Sequence, residues 1–298
     1  MENKFVTFSE KYLKDFQSYL LSHIEEVSST ELEEAMDYSL DAEGKRLRPL
    51  LLLAVLTAFN EDIKKGYPAA SALEMIHTYS LIHDDLPAMD NDELRRGKPT
   101  NHIQFNESTA ILAGDALLTL AFEVITFDDL PAETKVKLVT LLAEMSGYKG
   151  MVGGQQADIL GEESELTLAE IESIHVRKTG ALIKMATVSG GLIAGKGEEI
   201  LEKLENLADE IGIAYQIRDD ILDVVGTEEE LGKGVATDAA LGKSTYPSLL
   251  GLEGAFEALD DRLNKAGAAI AEIAKLEENF QPEILFSFVN QLALEEYQ

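Results

Sequence analysis

Apolar residues recur at helical spacing along nearly the whole chain, and the two-residue alternation that marks half-buried strands is hard to find. Residues 8–27 are amphipathic, with Phe8, Tyr12, Phe16, Tyr19, Leu20 and Ile24 on one broad face. A second helix is expected over 31–40. Residues 44–49, Gly-Lys-Arg-Leu-Arg-Pro, break the pattern, and Pro49 suits the first turn of the next helix. That helix, 50–59, is apolar except for Thr57 and is expected to be buried on every side. Further helices are expected over 69–85, 108–127, 131–148, 168–194, 198–225, 253–276 and 282–297, with Gly190-Gly191 softening the one they interrupt. Residues 150–158 read as a glycine-loosened segment, and 226–244 as a polar, Gly-rich loop. No linker, composition shift or solenoid-length repeat divides the chain. The pattern predicts one all-α domain over 1–298, a bundle of about ten to thirteen helices whose site is built from side chains on facing helices.

Composition narrows the partners. A hydrophobic content of 45% is ample for a core, and 27% charged residues without long polar tracts argue against disorder. The balance of 25 basic against 55 acidic residues, a net charge of −30, makes nucleic acid an unsuitable partner. There are no cysteines, which excludes disulfides and thiolate metal sites. The longest apolar run, 50–59, is too short to span a bilayer. The N-terminal residues lack the apolar core of a signal peptide, so a cytoplasmic location is expected. Many of the scarce cations are clustered, at Lys45, Arg46, Arg48, Arg95, Arg96, Lys98, Arg177, Lys178, Lys233 and Lys243. Several lie beside Gly or Pro, which points to capture of an anionic ligand.

Two acidic stretches give those cations a purpose. In the first, residues 77–102, an apolar helix delivers Asp84 and Asp85, Pro87 interrupts it, and Asp90, Asp92 and Glu93 precede Arg95, Arg96 and Lys98. Taken alone, this could be a solvated charged turn. In the second, Tyr215-Gln-Ile-Arg-Asp-Asp-Ile-Leu-Asp, the spacing puts Asp219, Asp220 and Asp223 on one side of a helix, with Gln216 one turn earlier. Its apolar flanks imply burial, where like charges need a compensating cation. A surface acidic face describes Glu228-Glu-Glu230 far better. Carboxylates and cations near a greasy interior suit Mg²⁺, which is held by a few carboxylates plus substrate phosphates, while arginine grips phosphate oxygens in pairs. Asp158 is expected to face the same site. His77 lies two turns before Asp84, although a lone His on an apolar helix is more often a satisfied core residue. Gly242-Lys243-Ser244 is no P-loop, since position 237 is Thr. No Gly-x-Gly-x-x-Gly unit or His-x-x-x-His pair is present.

The motifs Asp-Asp-Leu-Pro-Ala-Met-Asp and Asp-Asp-Ile-Leu-Asp, with Gly-Lys-Arg-Leu-Arg-Pro, Arg-Arg-Gly-Lys-Pro-Thr and Leu-Gly-Lys-Ser-Thr-Tyr-Pro, resemble those of a trans-isoprenyl diphosphate synthase. The resemblance runs from about residue 40 to the C-terminus with the motifs in order, and two extra residues in the first motif resemble the bacterial farnesyl diphosphate synthase branch. It implies an isoprenoid synthase-like bundle with a central cavity, three Mg²⁺ ions per site and a homodimer. By the same resemblance Asp84, Asp85, Asp90 and Asp219, supported by Asp220 and Asp223, would bind metal. Arg95, Lys178, Lys233 and Lys243 would neutralise an allylic diphosphate, with Thr179 and Gln216 nearby. Gly44, Lys45, Arg48, His77 and Arg96 would hold isopentenyl diphosphate. The implied reaction condenses isopentenyl diphosphate with dimethylallyl and then geranyl diphosphate, and no dedicated side-chain base is evident.

Product length has a candidate ruler. Ser80 lies about 6 Å down the helix from Asp84 on the same face, with Tyr79 beside it. A tail growing down this wall would meet Tyr79, and a Tyr-Ser pair there resembles the C15 enzymes. A geranylgeranyl product is the main alternative. A terpene cyclase is disfavoured by the repeated Asp-Asp motif and the Gly-Lys-Arg-Leu-Arg-Pro segment, and a non-catalytic partner subunit by the presence of both aspartate motifs. No EF-hand loop supports Ca²⁺ binding.

Overall fold

Helical spacing becomes helix almost everywhere in the computed structural model, which describes residues 3–24, 31–42, 44–127, 129–161, 164–226 and 244–294. In order, the helices are α1 (Lys4–Leu21), α2 (Glu31–Leu40), α3 (Leu47–Ala58), α4 (Tyr67–Asp84), α5 (Asn101–Gln104), α6 (Glu107–Val124), α7 (Ala132–Ser146), α8 (Met151–Gly161), α9 (Leu168–His175), α10 (Ala181–Ile193), α11 (Glu198–Val225), α12 (Tyr246–Leu276) and α13 (Glu283–Asn290). The all-α expectation holds; among the described residues the strands are the two-residue pair β1 (Leu94–Arg95) and β2 (Lys98–Pro99). None of the described helices is long and apolar enough to cross a membrane.

Beyond its first two residues, Leu47 and Arg48, α3 is buried from Pro49 to Ala58 apart from half-buried Thr57. It packs against α4, α10 and α13, and the buried apolar side chains form one continuous cluster around it. A buried ion pair ties this centre to the loop before α3. Arg46, in a left-handed conformation (φ 45°), reaches Glu74 of α4 at 2.7 Å, Gln17 at 3.0 Å and the carbonyls of Leu40 and Ala42. Arg46 therefore serves the fold, because four of the five donors of this buried guanidinium are bonded within the chain.

Several boundaries differ from those the periodicity suggests, each for a local reason. Helix α1 begins earlier, where the Asn3 side chain accepts from the Val6 N–H, and ends at Leu21; residues 25–27 lie outside the described set. Residues 151–161 form a regular helix, so their glycines do not loosen the chain. A Cβ at Gly154 would lie 2.7 Å from Lys178 Cα, so this glycine lets α8 approach the neighbouring backbone. Likewise the 168–194 helix does not soften at Gly190-Gly191. Gly190 seats α10 against α3, where a Cβ would meet Val55 at 2.7 Å. The interruption instead is a π-helical turn, Val176–Gly180, between α9 and α10. Helix α12 starts seven residues before the expected 253, under a Thr245–Ser248 capping box, and kinks at Gly251 (φ 73°). The strands pair Leu94 with Pro99 and Arg95 with Lys98, and Arg96 (φ 53°) and Gly97 (φ 76°) form the turn between them.

Candidate active site

The first acidic stretch is carried by the end of α4. Asp84 is its last residue and Asp85 its C-cap. The chain then doubles back, the Asp90 N–H donating to the Asp84 carbonyl at 2.9 Å and Asn91 adopting φ 54°. The hairpin that follows brings Arg95 onto Asp85, its Nε and Nη2 donating to Oδ1 at 2.8 and 2.6 Å. Asp85 is buried and this fork satisfies it, so in this structure the two groups neutralise each other. Asp84 differs. Its side chain makes no hydrogen bond among the described residues. Burial pushes its carboxyl up to about 6, Lys178 pulls it down, and Asp90 and Asp85 push it further up.

Lys178 and Thr179 come from the π turn, a distortion that recurs at functional sites because it re-aims side chains out of the regular helix. Lys178 is paired with Asp158 of α8 at 2.7 Å, and Thr179 donates to Gln216 Oε1 of α11 at 2.7 Å. At the uncapped start of α3, the Arg48 guanidinium lies 3.4 Å from His77 Nε2. Burial, then Arg48, Arg96 and other arginines, hold His77 well below its usual range, so it stays neutral. Arg96 folds over Gly44, where a Cβ would lie 3.1 Å from its Cζ; Lys45 is exposed. Left-handed Arg46 and Arg96 on facing loops are backbone strain at a cation cluster.

The second acidic stretch does not present three equivalent aspartates. Asp219 is exposed, whereas Asp220 and Asp223 are buried. Asp220 accepts the Tyr246 N–H at 2.9 Å and so caps α12, which makes it a fold residue as well as a motif residue. Asp219 and Arg48 both act on Tyr215, which places the exposed edge of α11 facing the start of α3. Lys233 and Lys243 lie outside the described residues.

A cavity of about 610 Å³ opens at Asp84. It gathers Arg48, His77, Tyr79, Ser80, Asp84, Lys178 and Thr179 from three elements, but not Asp85, Asp90, Arg95 or the α11 aspartates. The rest of its lining is mainly apolar, including Leu81, Leu86, Ile111, Met151, Val152 and Leu182. Tyr79 is nearly fully buried, with its ring edge-on to His83 at 5.7 Å. Ser80 donates to the His77 carbonyl and leaves its Cβ face to the cavity. Sequence reasoning missed the α6 and α8 walls. The spacing of Met151, Gln155 and Ile159 carried the signal, obscured by reading the adjacent glycines as breakers.

Among the described residues, no group of three or more acidic or His side chains is placed to hold a metal by itself. The donors still suit Mg²⁺. Asp84 is a hard oxygen donor without a hydrogen-bond partner, strained by like charge, and Mg²⁺ completes its shell with water and substrate phosphates instead of an all-protein cage.

Comparison with known proteins gives a consistent result. Residues 29–280 match the family model described as polyprenyl synthetase. The chain is 46% identical to the farnesyl diphosphate synthase of Bacillus subtilis (strain 168) over 301 residues, covering all of both chains. It is 49% identical to a geranylgeranyl diphosphate synthase of Cyanophora paradoxa, over 75% of this chain and 76% of the relative. Its fold matches the crystal structure of a Helicobacter pylori geranyltransferase complexed with magnesium and isoprenyl diphosphate, with a TM-score of 0.86, 34% identity and 98% of each chain covered.

Proposed function

The chain belongs to the polyprenyl synthetase family, and on that footing we propose that it joins isopentenyl diphosphate head-to-tail to dimethylallyl and then geranyl diphosphate, releasing farnesyl diphosphate. One observation carries the reading: a half-buried carboxyl without a hydrogen-bond partner, Asp84, faces Lys178 at the mouth of a deep apolar cavity. Such a mouth suits a diphosphate, and such a cavity suits a hydrocarbon tail.

In this reading Asp84, with Asp85, Asp90 and Asp219 and supported by Asp220 and Asp223, holds Mg²⁺. When bound, the metal neutralises the leaving diphosphate and lowers the barrier to its departure. Lys178 and Arg95, with Lys233 and Lys243, add positive charge around the allylic diphosphate, beside Thr179 and Gln216. Arg95 leaves its partner Asp85 in part, or bridges it to the substrate. Gly44, Lys45, Arg48, His77 and Arg96 receive isopentenyl diphosphate at the uncapped start of α3, where backbone donors favour an anion. Neutral His77 holds Arg48 in place without repelling it. The apolar wall of α4, α6 and α8 disfavours water beside the allylic cation. We further read the active form as a homodimer, because Leu112, Val136, Tyr148, Val152 and Leu160 of α6–α8 and their links are large, apolar and exposed.

The test supplies Mg²⁺, geranyl diphosphate and isopentenyl diphosphate. The wild-type protein is expected to form farnesyl diphosphate and release one diphosphate per bond made, and a chelator to stop it. Asp84→Ala and Asp219→Ala are each expected to lose roughly 10³-fold in rate. Neither should melt earlier at pH 7, since Asp84 is a half-buried like-charged group and Asp219 is exposed. Near-wild-type rates in either variant would sink the metal assignment.

A further inference from the structure

Three residues on one stripe of α11 seat it against the turn that carries Lys178 and Thr179. Gly212, Gln216 and Asp220 recur every four residues and so share a face. At Gly212 the two backbones come close, since a Cβ there would lie 2.7 Å from Gly180 Cα. One turn on, Gln216 accepts from Thr179 at 2.7 Å. At Asp220 an intermediary appears, Tyr246, the first residue of α12. Its N–H donates to Asp220 Oδ2 at 2.9 Å. Its ring stacks on His175, the residue before the π turn, with centroids 6.2 Å apart. Its hydroxyl donates to Glu172 Oε1 at 2.9 Å. Glu172 also accepts from Arg262 at 2.7 Å, and Arg262 donates in turn to Glu210 of α11 at 3.2 Å. Tyr246 is buried and is held at once by its backbone, ring and hydroxyl.

Resting on the prenyl-transfer reading above, we propose that Tyr246 is a positioning residue that sets the spacing between the α11 aspartates and the Lys178–Thr179 turn, and through it the affinity for the allylic diphosphate. A diphosphate with its Mg²⁺ has to meet carboxylates on one side and a cation on the other together. A small misplacement of one side against the other therefore weakens both sets of contacts. The links at Gly212 and Gln216 lie before the aspartates in the chain, and Tyr246 is the brace that reaches Asp220 itself. The brace resists movement, because a buried carboxylate or phenol that lost these bonds would be left unpaired. Its partners belong to α9, α11 and α12. The residues assigned above to isopentenyl diphosphate lie instead on the loop before α3, on α3 and α4, and in the hairpin turn. The brace thus acts on one substrate and spares the other.

The test pairs two measurements on wild-type protein, Tyr246→Phe and Tyr246→Leu. Calorimetry with Mg²⁺ gives the affinity for dimethylallyl thiodiphosphate, an allylic analogue whose diphosphate leaves slowly. Steady-state kinetics at saturating geranyl diphosphate give the KM for isopentenyl diphosphate. Phe keeps the ring on His175 and gives up the bond to Glu172, whereas Leu gives up both. The Phe variant is expected to bind the analogue about fivefold more weakly and the Leu variant about twentyfold, each with an isopentenyl KM within about twofold of wild type. Unchanged analogue binding, or equal weakening toward both substrates, would overturn the proposal, since a residue that only holds the fold does not separate the two. Should the Leu variant fail to fold, the Phe variant carries the same comparison. Wild-type protein that binds no thiodiphosphate would overturn the prenyl-transfer reading itself, and the positioning role with it.

Discussion

Individual side chains near the cavity divide into those that hold the fold and those left with unmet needs. Arg46, Asp220 and the Asp85–Arg95 pair are bonded internally. The Asp84 carboxylate and the Gln155 amide oxygen are not, and both residues line the cavity. The sequence does not reveal this division, because adjacent motif aspartates are identical in type and differ only in what the three-dimensional neighbours offer them. His175 gives a titratable check on the packing behind the site. It stacks on Tyr246, and burial lowers it to about 4 from 6.5. A depressed histidine stabilises the folded state above its unfolded value, and that contribution is lost as pH falls from about 6.5 to about 4. The full effect is at most about 3.4 kcal/mol, at roughly 1.36 kcal/mol for each pH unit between those two values. The melting temperature of His175→Gln is therefore expected to fall less than that of the wild type between pH 7 and pH 4.5. Equal falls would mean that His175 is not buried in its neutral form.

Among the elements, the long helices were legible because each must show an apolar face to the core with a 3.6-residue period. What periodicity hid was local. The π turn at Val176–Gly180 leaves the apolar pattern nearly unbroken while changing which way Lys178 and Thr179 point. The Arg95–Lys98 hairpin is too short to alternate, and the kink at Gly251 masks the true start of α12. Glycines in α8 and α10 read as breakers, although they are the positions where helices touch. The α4 wall, by contrast, was readable from spacing. Tyr79 and Ser80 do line the cavity one turn below Asp84, with Tyr79 braced against His83. Replacing that ring by a methyl group opens the wall toward α6, where Gly114 already admits His83 closely. Tyr79→Ala is accordingly expected to shift the main product from C15 to C20 or longer, as read by chromatography of the dephosphorylated alcohols. An unchanged C15 product would remove Tyr79 as the floor.

For the molecule as a whole, a net charge of −30 makes a cation-lined cavity mouth unusual, and the field there depends on few residues. Two of the expected cations, Lys233 and Lys243, fall outside the described residues, so among the described residues the proposed diphosphate site has Arg48 and Lys178 in the cavity lining and Arg95 and Arg96 outside it. The exposed apolar side chains of α6–α8 border the cavity wall at Ile111 and Val152, so pairing of two copies would also dry the tail pocket. Light scattering is expected to give twice the chain mass of 32.6 kDa; a monomer at assay concentration would contradict the homodimer. The most direct test of the whole account starts from the shortest substrate. Purified protein is incubated with Mg²⁺, dimethylallyl diphosphate and excess isopentenyl diphosphate, and the products are followed by mass over time. A C10 intermediate that gives way to a C15 end product, with one diphosphate released per bond, is the expected result. No condensation, or cyclised hydrocarbon in place of a linear diphosphate, would contradict it.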